Sequence, residues 1–109
     1  IAADAERAAA GFAQAAAAAD GPAMCDLMVP GTAEDLVGDE GVPCAQAATA
    51  LDLPAPADPG PAQVWGDSAL VAAGAASVFL ARVDGVWLVR AAGCELRDGE
   101  PADCVLEGG

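Results

Sequence analysis

Apolar and polar positions change their period once along this chain, near residue 62. Before that point the spacing is helical. With Phe12 as the centre of the projection, Ile1, Ala5, Ala8, Ala15, Ala16 and Ala19 fall on its side, and Glu6, Arg7 and Gln14 fall opposite. The pattern predicts a helix over 3–20. Asp4 and Glu6 stand in its first turn, where the helix dipole favours anions, and Gly21-Pro22 is its stop signal. Pro22 opens a second short helix that turns Met24, Leu27 and Met28 inward. Thr32 is read as the cap of a turn containing Glu34, Asp35 and Leu36, because its hydroxyl can accept a free N–H there. Pro43 starts another helix, with Cys44, Ala47, Ala48 and Leu51 at i, i+3, i+4 and i+7. A Pro-rich connector, 54–61, carries Pro54, Pro56, Pro59 and Pro61. It is stiff and too short to separate domains.

From residue 62 the period is that of strands. Val64-Trp65 and Ala69-Leu70-Val71 flank Gly66-Asp67, which suits a two-residue type II′ turn. Asp84-Gly85 divides two apolar runs, 77–83 and 86–92, and suits a type I′ turn, in which both central residues take positive φ. That turn sets Val83 opposite Val86, Arg82 opposite Trp87 and Leu80 opposite Val89. One face then carries Val78, Leu80, Arg82, Trp87, Val89 and Ala91. The other carries Phe79, Ala81, Val83, Val86, Leu88 and Arg90. Ala-rich helices can cover one of them, and the Trp87 side is assigned to the core because Trp87 is its largest anchor. The second face must curl, take the 94–104 loop over it, or meet another chain. Phe79, Val83, Val86, Leu88 and Arg90 are therefore the candidate interface, with a protein partner or a second copy of the chain.

Composition narrows the function classes. The 109 residues make one domain: a helical half over 1–53, the connector, and strands with a cysteine-closed loop over 62–109. Seventeen acidic residues against four arginines, with no lysine, give a net charge of −13. Phosphate contacts need cations, so nucleic-acid binding is excluded, and an anionic lipid surface is disfavoured. Histidine, lysine and tyrosine are all absent, which removes most general acid–base groups. A hydrophobic content of 55% and a mean hydropathy of +0.40 argue against disorder despite the charge. The alanine run at 15–19 is too short for a membrane span and lacks the basic flank of a signal peptide. The start at Ile1 reads as that of a processed product.

Cys25, Cys44, Cys94 and Cys104 form an even set without the close ligand pairs of a zinc site. Order along the chain favours Cys25–Cys44 and Cys94–Cys104, the second closing a polar loop. Such bonds imply an oxidising compartment; four buried thiols in a cytosolic protein are the alternative. Catalytic chemistry finds few candidates. Asp67 reads as a turn residue and Asp26 as a solvated helix position. Glu95, Asp98, Glu100 and Asp103 lack the spacing of a calcium loop and read as a solvated acidic stretch. Ser68 and Ser77 have no histidine to activate them. Arg82 opposite Trp87 can stack as a cation–π pair. No catalytic residue, metal ligand or cofactor is assigned.

The strand half, V-W-G-D-S-A-L-V (64–71) and V-F-L-A-R-V-D-G-V-W-L-V (78–89), resembles the NTF2-like (cystatin-like, SnoaL-like) α+β cone. The cysteine frame C-D-L-M-V-P-G-T (25–32), E-G-V-P-C (40–44), A-A-G-C (91–94) and D-C-V-L-E-G-G (103–109) is similar to that of small envelope lipoproteins of high-GC Gram-positive bacteria. The resemblance implies N-terminal helices packed on a curved antiparallel sheet. It also implies export, often through a lipidated cysteine upstream, so a lipid anchor before Ile1 is compatible with it. The expected function is a non-catalytic accessory or protein-binding subunit at the cell envelope. The alternative is a small-ligand carrier or weak enzyme using the cone cavity.

Overall fold

The computed structural model describes residues 1–55 and 58–108, so Pro56 of the connector lies outside the described residues. Within them, four helices precede five strands. They are α1 (Ala2–Ala17), α2 (Gly21–Asp26), α3 (Pro30–Glu40) and α4 (Cys44–Thr49), then β1 (Gln63–Trp65), β2 (Ser68–Val71), β3 (Ser77–Val83), β4 (Val86–Arg97) and β5 (Glu100–Leu106). The strands form one antiparallel meander in chain order. The fold is α+β, with the N-terminal helices layered on the sheet.

Alanine spacing makes α1, and its buried stripe is Ala5, Ala9, Phe12 and Ala15. The helix stops earlier than the pattern predicts. Ala19 takes a left-handed φ of 53°, and Asp20 turns to cap α2, its carboxylate accepting the Ala23 N–H at 3.2 Å. Gly21-Pro22 therefore opens α2 and does not close α1. Gly21 also lets two helices touch backbone to backbone: a Cβ built there would stand 2.2 Å from the Ala45 carbonyl oxygen of α4. The Cys25–Cys44 disulfide ties the same pair, with Cα atoms 6.2 Å apart.

Thr32 does not cap. Val29 is the N-cap of α3 and Pro30 sits in its first turn, which places Thr32 inside the helix and fully buried. Its hydroxyl donates to the Arg90 carbonyl of β4 at 2.9 Å. This bond belongs to the seam that joins the two halves. Val89 donates its N–H to the Leu27 carbonyl (2.7 Å) and accepts from the Val29 N–H (2.8 Å), so 27–29 adds a short bridge to β4.

Both hairpin turns take the expected conformations. Asp84 and Gly85 have φ of 51° and 80°, the paired positive values of type I′. At Gly66-Asp67 only Gly66 is positive (61°), as in type II′. Val83 faces Val86, Arg82 faces Trp87 and Leu80 faces Val89. Beyond Val89 the register slips: Phe79 faces Ala91 and Ser77 faces Cys94. These irregularities bend β4 and add twist. Ala92, not Ala91, consequently enters the core. Gly93, at φ 64°, sits at the bend where a Cβ would press on Leu53 and Val105.

The 94–104 stretch is a hairpin, not a loop. β4 runs through Cys94 to Arg97, Asp98-Gly99 makes the turn, and β5 returns with Cys104 opposite Cys94. The second disulfide is thus a cross-strand bond, with Cα atoms 4.0 Å apart. Pro101 is tolerated because β5 is an edge strand. Met24, Met28, Leu36, Val71, Val78, Leu80, Trp87, Val89 and Leu106 pack with the alanines of α1 and α4 as one core. The end of the connector is pinned to α1, where the Glu6 carboxylate accepts the Ala62 N–H at 2.8 Å.

Candidate functional site

The sheet has one face under the helices and one away from them. The away face is built by strand alternation from the turns outward. In one row the register sets Trp65, Ser68, Ala81 and Leu88 side by side across β1 to β4. In the next, Gln63, Leu70, Phe79 and Ala91 align. Val83 and Val86 close the face beside the Asp84-Gly85 turn. Strands stand about 4.8 Å apart, so Trp65 and Leu88 flank the small Ser68 and Ala81 across about 14 Å. The result is a shallow apolar step with a large side chain at each side. Trp65 is 52% exposed and Val86 57% exposed, while Phe79, Val83 and Leu88 are half-buried.

Of the interface residues read from sequence, the face includes Phe79, Val83, Val86 and Leu88, and the sequence reading missed Trp65 and Leu70. The Gly66-Asp67 turn holds the signal for Trp65, since a two-residue turn fixes which face the flanking tryptophan takes. Arg90 is displaced from its expected place beside Phe79. The irregularity after Val89 makes it the extra residue, and Ala91 takes the position facing Phe79. Arg90 remains exposed and forms no ion pair with any described residue.

The other charged candidates are engaged in structure. Asp67 is a turn residue whose Oδ1 accepts from Arg82 Nε (2.9 Å) and Nη2 (2.7 Å). The same guanidinium lies 5.5 Å from the centroid of the Trp87 ring. Asp67, Arg82 and Trp87 thereby tie the tips of two hairpins together. Asp26 is exposed at the end of α2. In the last hairpin Arg97 stands 3.7 Å from Glu100 and 3.5 Å from Asp103, occupying the place a cation would take. Among the described residues no three acidic or sulfur side chains gather as a metal-holding group. The Ser77 hydroxyl donates to the Gly74 carbonyl and accepts from the Ala73 N–H, which fixes the β2–β3 connection. Cys25–Cys44 and Cys94–Cys104 are the two disulfides, and such bonds are consistent with an oxidising environment outside the cytosol. No helix among the described residues is long and apolar enough to cross a membrane.

The chain matches no family model, no curated protein and no solved structure. Function must be argued from the residues alone.

Proposed function

We propose that this chain is an exported, disulfide-stapled binding module of the cell envelope that engages a protein partner through the sheet face opposite its helices. The observation that carries the reading is the row Trp65–Ser68–Ala81–Leu88 with Val86 beside it. Two of these large apolar side chains are more than half exposed on one contiguous, rigid face, and aromatic anchors of this kind dominate interface energetics. The two disulfides support export. A net charge of −13 sets the partner's chemistry: apolar where it meets the row, and basic around it. The same charge disfavours a face-to-face pair of identical chains. No catalytic role is assigned, because the carboxylates nearest the apolar segments serve as turn and surface residues.

The test is the double variant Val86→Ser/Leu88→Ser. Co-purification of the tagged chain with its envelope partner should fall, and raising the salt should weaken the wild-type association. The melting temperature should barely move. A large fall in stability with unchanged assembly would make this face ordinary core.

A further inference from the structure

We infer that the groove beneath α1 is a binding site for a single-chain cationic amphiphile, separate from the sheet face. Two hollows, of ≈ 290 and ≈ 390 Å³, lie beside α1 and share Ala13, Ala76 and Val78 in their linings. The first continues past Phe12 toward Leu51 and Ala17. The second continues past Ala9 toward Glu6 and Asp58. Their α1 walls together reach from Glu6 to Ala17. That is about 16 Å of helix, the length of an extended alkyl chain of roughly a dozen carbons. Small-molecule sites begin near ~300 Å³, and both hollows are of that order. The groove stays open for a stated reason. α1 offers alanines where larger side chains would fill the space, and Pro54 and Pro59 each form part of one wall.

The lining chooses the occupant. Most of it is aliphatic, which suits a hydrocarbon chain. One end carries two carboxylates, Glu6 and Asp58, and no arginine lines either hollow. At the other end the Thr49 hydroxyl already donates to the carbonyls of Ala45 and Gln46. The tail therefore lies toward Phe12 and Leu51, and a cationic head lies between Glu6 and Asp58. An anionic head would face the carboxylates and the field of the whole molecule.

The experiment is displacement of 1-N-phenylnaphthylamine, read by fluorescence. The competitors are dodecyltrimethylammonium and dodecanoate, each below its micelle concentration and at physiological ionic strength. Dodecyltrimethylammonium should compete saturably and about tenfold more tightly than dodecanoate, by charge attraction alone. Ala13→Leu and Ala76→Leu add bulk to the lining that the two hollows share, one from α1 and one from the β2–β3 connection. Each should abolish displacement while keeping the wild-type circular dichroism and melting temperature. Glu6→Gln retains an acceptor for the Ala62 N–H and should reduce the preference for the cation. Equal competition by dodecanoate, absence of saturation, or full affinity in a folded Ala13→Leu or Ala76→Leu protein would overturn the assignment.

Discussion

At the scale of single residues, Thr32 carries the joint between helices and sheet, and Gly21 the contact between two helices. Thr32 is fully buried, and its hydroxyl satisfies the Arg90 carbonyl at 2.9 Å. Thr32→Val keeps the volume and strands that carbonyl, which should cost about 1–2 kcal/mol in equilibrium urea unfolding. Thr32→Ser keeps the bond and should cost less. Gly21 matters for the opposite reason, since it contributes absence. A Cβ at this position would overlap the Ala45 carbonyl oxygen at 2.2 Å, and the obstacle is backbone that a rotamer change cannot clear. Gly21→Ala should therefore force α2 from α4 and cost about 2 kcal/mol by the same measurement. Neither role is legible in the sequence. Gly21 beside Pro22 reads as a helix stop, and Thr32 before an acidic run reads as a cap. In each case local grammar is overruled by a contact with a residue far along the chain.

At the scale of elements, the turns were the most legible part of the chain. Asp84-Gly85 demands two positive φ values, and that single requirement fixed the register of β3 on β4 as far as Val89. The register beyond it was hidden. Irregular pairing after Val89 has no strong signature besides Gly93, and it moves Ala92 into the core in place of Ala91. The last hairpin was hidden too. Its Asp98-Gly99 repeats the dipeptide of the β3–β4 turn, but the flanking residues are charged and lack the apolar alternation of a buried strand. Pairing with β4 and the cross-strand disulfide supply the order that the pattern lacks. Removing that bond by Cys94→Ala/Cys104→Ala should cost about 2–3 kcal/mol. Amide exchange should quicken across β5 while α2 and α4 keep their protection. Cys25→Ala/Cys44→Ala should loosen α2 and α4 and leave β5 unchanged. Mass spectrometry of unreduced peptides should show these two linkages and no Cys44–Cys94 bond.

At the scale of the whole molecule, charge and apolar surface are divided between regions. Glu34, Asp35, Asp39 and Glu40 place four acids on α3, whereas the middle of the away face is Ser68, Leu70, Phe79, Ala81 and Leu88. A chain with few large apolar side chains spends several of them outside the core, which is why the face is read as a place of contact. That Phe79, Val83, Val86 and Leu88 share a face was legible in sequence because strand alternation and one turn sort residues by face. Trp65 was overlooked because its strand has only three residues, and its signal lies in the Gly66-Asp67 turn beside it. The most direct measurement is site-specific photo-crosslinking in the producing cells, with a benzophenone side chain at Val86 and, as a control, at the exposed Asp39 of α3. A discrete heterologous adduct formed from position 86, absent from position 39 and lost on Trp65→Ser, is the predicted result. Identical patterns from both positions, or adducts that persist without Trp65, would contradict the account.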